Sequence, residues 1–220
     1  MQDSTVTPEV DQRTRLLTAA REAIEDSGPE ALRARTITAA VGTSTQALYT
    51  HFGGMPGLIE VIVADGFDRF ARHVAKVPEG EDPVADFFAK GRAFGEWALA
   101  HPHLYRLMFG LTGGGLRRHA GLEITVSGAV TNSPEAQSAV DVLVRSMTRV
   151  KESGRIDPVD PVIAAGQFLS ATHGFVLLEI AGVFAGDGLS TMRPLAINLM
   201  VGLGDSREAA TASLHAVETS

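Results

Sequence analysis

Hydrogen-bonding side chains of the kind that read a nucleic-acid duplex stand close together in one stretch: Thr43, Ser44, Thr45, Gln46, Tyr49, Thr50 and His51. A glutamine amide can form two hydrogen bonds with adenine, and hydroxyl groups can bind base edges or phosphates. The last three residues lie one helical turn beyond Gln46, within reach of backbone phosphates. This chemistry requires the side chains to be held together on one rigid element.

Two short helices supply that element. Apolar spacing predicts one helix over about 32–41 and a second over about 45–52, with Gly42 in the tight turn between them. We expect Ser44 to cap the second helix by accepting hydrogen bonds from its exposed first-turn amides. This is the pattern of a helix-turn-helix, in which the second helix enters the major groove.

The charge around this motif is balanced. The net charge of the chain is −7, which by itself argues against a nucleic-acid partner. Between residues 11 and 55, five arginines (13, 15, 21, 33 and 35) oppose five acids (11, 22, 25, 26 and 30). We expect Arg33 and Arg35 to reach phosphates, with a modest and strongly salt-dependent non-specific affinity for DNA.

The spacing of this stretch resembles the N-terminal domain of the TetR family of transcriptional regulators over about residues 13–67. A Leu-Tyr-x-His-Phe sequence closes the second helix and is the most specific part of the match. One departure is Met55, which stands where the family usually has a lysine, so one phosphate contact is missing. The matching positions are Leu16, Ala20, Ile24, Gly28, Ile37, Ala40, Gly42, Ser44, Leu48, Tyr49, His51, Phe52 and Leu58.

The second half of the chain resembles a TetR ligand-binding domain of the subgroup that carries an Ala-x-x-His-Pro-x-Leu-Tyr-x-x-Met-Phe segment and a Trp before a His-Gly pair. The pair His173-Gly174 is present, and the Trp is replaced near Leu169 or Ser170. The segment itself consists of Ala98, His101, Pro102, Leu104, Tyr105, Met108 and Phe109.

The expected fold class is all-α, because no segment alternates with period two and many show three- and four-residue apolar spacing. A TetR-like architecture would join an N-terminal three-helix domain to an α-helical ligand-binding and dimerisation domain. Helices are predicted over about 11–26, 32–41, 45–52, 56–74, 84–101, 102–109, 136–150, 162–185 and 193–203, with mostly loop from 113 to 134. The expected segments are a disordered tail (1–10), the helix-turn-helix domain (11–55), a connecting helix (56–75), the ligand-binding and dimerisation domain (76–205) and a second tail (206–220).

Aromatic and apolar side chains of the second domain suggest a pocket for a small-molecule effector. His173 is interpreted first as a buried core histidine and second as a hydrogen-bonding group in that pocket. The apolar helices at about 162–185 and 193–203 are the expected homodimer interface. The candidate ligand contacts are Phe88, Phe94, Trp97, Tyr105, Met108, Phe168 and His173.

Other chemistry is not predicted. The chain has no cysteine, so thiolate metal sites and a cysteine nucleophile are excluded. His101 and His103 lack the spacing of metal ligands, the glycines at 113–115 lack a following Lys-Ser/Thr, and no nucleophile, base and orienting group occur together. We expect no enzyme activity, no metal, no cofactor and no membrane segment. The polar first fifteen residues are unlike a signal peptide, so the expected location is the cytoplasm.

Two other functions stay open. An all-α ligand-binding protein with weakened or lost DNA binding is compatible with Met55 and the balanced local charge. An enzyme on a helical-bundle scaffold would need paired carboxylates or a Glu-x-x-His set on facing helices, which the sequence does not show. The resemblance favours a repressor that binds a near-palindromic operator in double-stranded DNA as a homodimer and is released by its ligand.

Overall fold

Most of the described chain is α-helical. The computed structural model describes residues 11–111, 122–125, 128–131 and 133–219. The predicted tail over 1–10 lies outside these residues. The α-helices of the described part are α1 (Gln12–Ser27), α2 (Ala34–Val41), α3 (Thr45–Phe52), α4 (Met55–Ala75), α5 (Pro83–Ala100), α6 (Pro102–Met108), α7 (Pro134–Glu152), α8 (Pro161–Ile180), α9 (Leu189–Gly202) and α10 (Arg207–Glu218).

Two strands form an antiparallel pair in a region where the sequence predicted loop. They are β1 (Leu122–Thr125) and β2 (Gly128–Thr131), with Leu122 paired to Thr131 and Thr125 to Gly128. Four-residue strands are too short for an alternating pattern to stand out in the sequence. The fold class is nevertheless that of an all-helical protein with one small β-hairpin.

The chain divides into two compact units. Of the described residues, 11–64 and 103–111 form the N-terminal unit, and 65–102, 122–125, 128–131 and 133–219 form the C-terminal unit. α4 has residues in both units. The sequence assigned α6 to the 76–205 domain, whereas the structure groups residues 103–108 with the N-terminal unit, where Leu104 and Leu107 are buried.

Each unit has its own buried apolar side chains, and in each the helix caps define where the helices begin. In the N-terminal unit, Asp11 caps α1, and Leu16, Ala20 and Ile24 are buried along one face. In the C-terminal unit, Asp82, Ser133, Asp160 and Ser206 accept hydrogen bonds from the first-turn amides of α5, α7, α8 and α10. The C-terminal core includes Val84, Phe87, Phe88, Met147, Val150, Phe168 and Met200.

The prediction of a tail over 206–220 is wrong, because α10 occupies residues 207–218 and packs into the C-terminal core. Ala210 and Val217 are buried there. Ser213 donates to the Asp82 carboxylate over 2.6 Å, and Arg155 makes two hydrogen bonds to Asp205, over 3.0 and 2.7 Å. The sequence of this segment is mostly polar, and it was therefore expected to fray. The buried residues and these hydrogen bonds hold the helix in place.

The predicted helix over 162–185 also ends earlier, at Ile180. Gly182 and Gly186 have φ values of +74° and +88°, and Ala185 has +50°, so the backbone turns repeatedly in the left-handed region. The next helix begins at Leu189, one turn before the predicted start at Arg193. Apolar composition continues through this turn, which is why the sequence pattern extended the helix too far.

The segment 76–83 looked like a linker, but polar contacts hold it to the C-terminal unit. The Gly80 amide donates to both oxygens of Asp86, over 3.0 and 2.9 Å, and Arg149 donates to the Gly80 carbonyl over 3.2 Å. Lys90, buried on α5, lies 2.9 Å from Glu79. The hydrogen bond and charge of Lys90 hold the pKa of Glu79 below its usual value.

The helix α8 is unusually apolar. By length and composition it could cross a membrane, with a mean hydropathy of 1.4, a property it shares with core helices of soluble proteins. Only 28 % of this apolar window is buried within the single chain. Among the described residues, Ile163 and Leu178 are the exposed large apolar side chains of α8, and a helix that is apolar on nearly all sides is usually covered.

Candidate nucleic-acid interface and ligand cavity

The turn between α2 and α3 is fixed by Gly42. This residue ends α2 with a φ of 70°, a left-handed conformation that glycine adopts without steric cost. The Gly42 and Thr43 amides donate to the carbonyls of Ala39 and Thr38 over 3.1 and 2.9 Å, which closes the helix end. Ser44 is then extended and α3 begins at Thr45. The predicted α3 boundaries are those observed.

The outer face of α3 is polar. Thr45, Gln46 and Thr50 are exposed, and the Thr50 hydroxyl donates to the Gln46 carbonyl of its own helix over 3.1 Å. Tyr49 is exposed as well, with 63 % of its surface accessible. Leu48 faces the core, so one side of α3 anchors it and the other is free for a ligand.

Ser44 occupies the N-cap position of α3, but its hydroxyl does not cap the helix. No hydrogen bond joins its side chain to the first-turn amides of α3, and the side chain is exposed. The predicted hydrogen bond is therefore wrong, although the predicted position is right. The Ala47 amide donates to the Ser44 carbonyl over 3.0 Å, so the Ser44 hydroxyl and the amides of Thr45 and Gln46 are the groups that can serve an external acceptor such as a phosphate.

The first turn of α1 holds the motif in place, a role the sequence analysis missed. Gln12 donates from Nε2 to Thr43 Oγ1 over 2.8 Å, and its Oε1 lies 3.1 Å from His51 Nε2. Arg15 donates to the Val41 carbonyl at the end of α2 over 2.9 Å. Because Thr43 and His51 are held this way and half-buried, their side chains brace the motif as well as bordering its exposed face.

A further brace is Arg13, whose guanidinium lies 5.1 Å from the centre of the Phe52 ring, a cation–π contact. The local signal for these contacts was weak, because polar residues in a first helical turn usually face solvent. Arg33 and Arg35 differ from Arg13 and Arg15. Both are exposed, and within the described residues neither guanidinium has a hydrogen bond or ion pair.

The junction of α3 and α4 depends on Gly57, which the sequence analysis also missed. A Cβ atom at this position would lie 1.8 Å from the Phe52 carbonyl oxygen, far inside van der Waals contact. Any side chain would therefore push the first turn of α4 away from the end of α3. Met55, which stands at the family's lysine position, begins α4 and is half-buried.

The C-terminal unit contains a cavity of about 430 Å³, which we call the C-terminal cavity. Helices α5, α8, α9 and α10 line it, together with Leu143 of α7. Gly91 and Gly95 of α5 border the space, and a Cβ atom at either would meet nothing within 4 Å. The volume is in the range of small-molecule sites. Its apolar wall includes Phe87, Phe88, Phe94, Phe168, Leu169 and Phe175.

Comparison with protein families agrees with both halves of this description. Residues 16–62 match the model of bacterial regulatory proteins of the tetR family, and residues 87–198 match the model of the Tetracyclin repressor-like C-terminal domain. The second match alone spans half of the chain.

The chain belongs to the TetR family.

It is a TetR-family transcriptional regulator with a helix-turn-helix and a helical C-terminal domain. Three solved structures share its fold. A Rhodococcus sp. RHA1 protein of unknown function is 23 % identical with a TM-score of 0.73, covering 91 % of this chain and 100 % of its own. The fatty acid degradation regulator FadR from Bacillus halodurans is 15 % identical with a TM-score of 0.67, covering 90 % and 99 %.

The third structure, a tetR-family regulatory protein from Rhodococcus RHA1, is 16 % identical with a TM-score of 0.61 and covers 88 % of this chain and 97 % of its own. Compared with curated protein sequences, the chain has no match.

The structure of this TetR-family chain brings together only some of the expected ligand contacts. Phe88, Phe94 and Phe168 line the C-terminal cavity. Trp97 does not line it, because its ring packs against Phe70 and His101, with ring centres 5.3 and 4.9 Å apart.

Three more expected contacts also lie away from the cavity wall. Tyr105 and Met108 are fully buried in the N-terminal unit, and burial raises the pKa of the Tyr105 hydroxyl. His173 is half-buried and does not line the cavity, and burial lowers its pKa. Apolar pattern distinguishes buried from exposed side chains, but it does not distinguish a cavity wall from a filled core.

Proposed function

We propose that this TetR-family regulator is a repressor that binds a near-palindromic operator as a homodimer and is released by a small-molecule ligand. The observation that carries the proposal is the exposed polar face of α3. Gly42 ends α2 in the turn before this helix, and the buried Leu48 holds the opposite face of α3 against the core. The cytoplasm is the compartment that this role implies.

Base reading is assigned to the α3 face. Gln46 and Tyr49 are exposed one turn apart, so both can enter a major groove when α3 does. The Gln46 amide suits adenine, and the neighbouring hydroxyls suit bases or phosphates. The full set of proposed DNA contacts is Arg33, Arg35, Thr43, Ser44, Thr45, Gln46, Tyr49, Thr50 and His51.

Phosphate contacts are assigned to the groups around the start of α3. The first-turn amides of α3 lack a side-chain cap, and the N-terminus of a helix attracts anions. Arg33 and Arg35 are exposed on the preceding helix and its N-cap, free of ion pairs within the described residues. These groups would position the α3 face without choosing the sequence.

The homodimer is assigned to α8 and α9. The exposed large apolar side chains of this region include Ile163 and Leu178 on α8, Leu189 and Leu195 on α9, and Val183 between the two helices. Ile163 and Leu178 lie on one stripe of α8 with the small residues Ser170 and Gly174. A second copy covering this stripe would form a symmetric interface.

Ligand sensing is assigned to the C-terminal cavity, with Phe88, Phe94 and Phe168 as contacts. A ligand that binds one conformer more tightly shifts the population toward it. We propose that the ligand-favoured conformer holds the two recognition helices at a spacing that no longer matches successive major grooves. α4, which has residues in both units, is the element that would transmit the change.

A second candidate is a ligand-binding member with weakened DNA binding. It is favoured by Met55 at the usual lysine position and by the balanced charge of residues 11–55. The two candidates differ in what the α3 face does. Gln46→Ala and Tyr49→Ala each remove an exposed side chain, so in a repressor each should weaken specific binding about 5- to 100-fold, as loss of a base contact does.

The test titrates wild type and both variants against a duplex enriched from a random pool, using fluorescence anisotropy. Gln137→Ala in α7 is the matched control, since it removes a glutamine that bonds to Asp141 outside the motif. Loss of affinity in the two α3 variants with none in the control supports the repressor. Equal affinities for all four proteins would contradict it.

A further inference from the structure

One carboxylate oxygen at the C-terminal cavity has no hydrogen-bond partner among the residues that the structure describes. Glu179 lies near the end of α8 and borders the cavity, and its Oε2 atom is buried. Within the described part of the chain this atom accepts no hydrogen bond. Buried carboxylate oxygens are almost always hydrogen-bonded, because removing a charge from water is costly. An oxygen left in this state beside a cavity suggests that its partner is a ligand.

The other charged groups around the cavity already balance one another. Arg92 lies 3.8 Å from Glu96 and donates to the Val217 carbonyl. Arg193 forms an ion pair with Glu218 across α9 and α10. Among the described residues, two arginines and three glutamates line the cavity, so the two ion pairs leave Glu179 as the unpaired charge of this lining.

Aromatic rings surround the same carboxylate. A Cβ atom placed on Gly188 would lie 2.5 Å from Glu179 Oε2, 2.7 Å from Phe175 Cε2 and 3.0 Å from Phe184 Cδ2, so all three converge on that point. The two rings are stacked, with centres 5.7 Å apart. Aromatic rings close to a carboxylate are surroundings in which proteins bind organic ammonium ions.

We propose that the effector of the C-terminal cavity is an apolar molecule with one protonated amine, held with its ammonium group at Glu179. The hydrocarbon part packs against the phenylalanines of α5 and α8, and the ammonium forms an ion pair with the Glu179 carboxylate. This inference rests on the proposed function, because it names the ligand class of the cavity assigned there to effector binding.

The test uses three probes that differ only in one group: adamantanemethylamine, adamantanemethanol and adamantanecarboxylate. Isothermal titration calorimetry at neutral pH measures each dissociation constant for the full-length protein. We expect the amine to bind at least about tenfold more tightly than the alcohol, and the carboxylate more weakly than both, as charge-assisted hydrogen bonds exceed neutral ones.

Three variants identify the group responsible. Glu179→Gln keeps the shape of the side chain and removes its charge, so the amine should lose its tenfold advantage while the alcohol keeps its affinity. Glu208→Gln is the matched control, because Glu208 is exposed on α10 and does not line the cavity. Gly91→Leu fills the cavity from α5, where a Cβ atom has free space, and should abolish binding of the amine and the alcohol.

The outcomes distinguish failure of the amine inference from failure of the cavity assignment. If the alcohol binds, Gly91→Leu abolishes that binding and the amine has no advantage, the amine inference is overturned while the cavity remains the effector site. If no probe binds in a way that Gly91→Leu removes, both the inference and the cavity assignment fail. An amine advantage that persists in Glu179→Gln, with unchanged thermal unfolding, also overturns the inference.

Discussion

The side-chain oxygen Oε1 of Gln12 lies 3.1 Å from Nε2 of His51, which joins the first turn of α1 to the last turn of the proposed recognition helix. The same amide donates to Thr43 in the turn before α3. One glutamine therefore contacts both the turn that leads into α3 and the last turn of that helix. The orientation of α3 depends on α1 as well as on the turn at Gly42.

Replacing Gln12 by alanine should weaken operator binding and cost little stability. Gln12 is exposed, so losing its hydrogen bonds should cost about 0.5–1.5 kcal/mol of unfolding free energy or less. The freed Thr43 and His51 would let α3 change its orientation, and we expect operator affinity to fall about 3- to 10-fold, which corresponds to roughly 0.7–1.4 kcal/mol.

Anisotropy titration and urea unfolding measure the two effects of Gln12→Ala. Gln137→Ala, which breaks a half-buried side-chain hydrogen bond in α7, should leave operator affinity unchanged. Unchanged affinity for Gln12→Ala would show that α3 is oriented without this contact.

The sequence was a good guide wherever one short motif carried the information. The bounds of α3, the turn at Gly42 and the apolar core positions of α1 could all be predicted, because each follows from local propensity and spacing. The contacts of Gln12 could not, since they join residues 31 and 39 positions apart along the chain. Polar side chains give no periodic signal of such distant partners.

The residues that line the cavity were predicted less well, because the lining also depends on contacts between distant parts of the chain. Phe88 and Trp97 look alike in sequence, as aromatic residues on the same helix. Phe88 borders free space, whereas Trp97 packs against Phe70, and only the placement of other helices decides between these outcomes. Helix α10 was missed because its inward positions are the small residues Ala210 and Ser213, which carry little hydrophobic signal.

Replacing Gly57 by alanine should destabilise the N-terminal unit. The added Cβ atom would lie 1.8 Å from the Phe52 carbonyl oxygen, so α4 must move relative to α3. We expect a loss of about 1–3 kcal/mol of unfolding free energy, as overpacking usually causes. Chemical denaturation followed by circular dichroism measures it.

The matched control for Gly57→Ala is Gly91→Ala, also within a helix but with free space around its Cβ position. It should stabilise the protein by about 0.5–1 kcal/mol, because alanine loses less backbone entropy than glycine in a helix. Equal effects of the two substitutions would contradict the proposed crowding at Phe52.

Acid should destabilise the C-terminal unit through Asp82. Burial raises the pKa of this carboxyl group, but hydrogen bonds from Ser213 and the amides of α5, together with Arg155, lower it more, to a value below the usual 3.8. As pH falls, the unfolded chain takes up this proton first. The stabilisation is therefore present above about pH 4 and is lost as pH falls through the folded pKa.

Unfolding free energies measured between about pH 5 and about pH 2.5 test this dependence. Asp82→Asn, which keeps a good N-cap, should show a smaller loss across the range than the wild type. Ser213→Ala should also reduce the loss, because it removes the donor that lies 2.6 Å from Asp82. Three identical pH profiles would contradict the assignment.

Replacing Leu178 by arginine should separate the proposed homodimer. Leu178 is exposed on the apolar stripe of α8, and a charge there would be buried without a partner if a second copy covers it. Sedimentation at micromolar concentration should then show a monomer with intact helical content. Ala212→Arg on the exposed side of α10 is the control and should remain dimeric. A dimeric Leu178→Arg variant would exclude this face.

Binding of the ligand-free homodimer to a specific operator is best tested by selecting bound duplexes from a random pool, at low and moderate salt. We expect enrichment of an inverted repeat whose half-sites lie about one helical turn apart, with binding that weakens as salt rises. We also expect Gln46→Ala to change the enriched half-site. Failure of a confirmed dimer to enrich any sequence at either salt concentration would contradict a repressor that binds DNA in its ligand-free state.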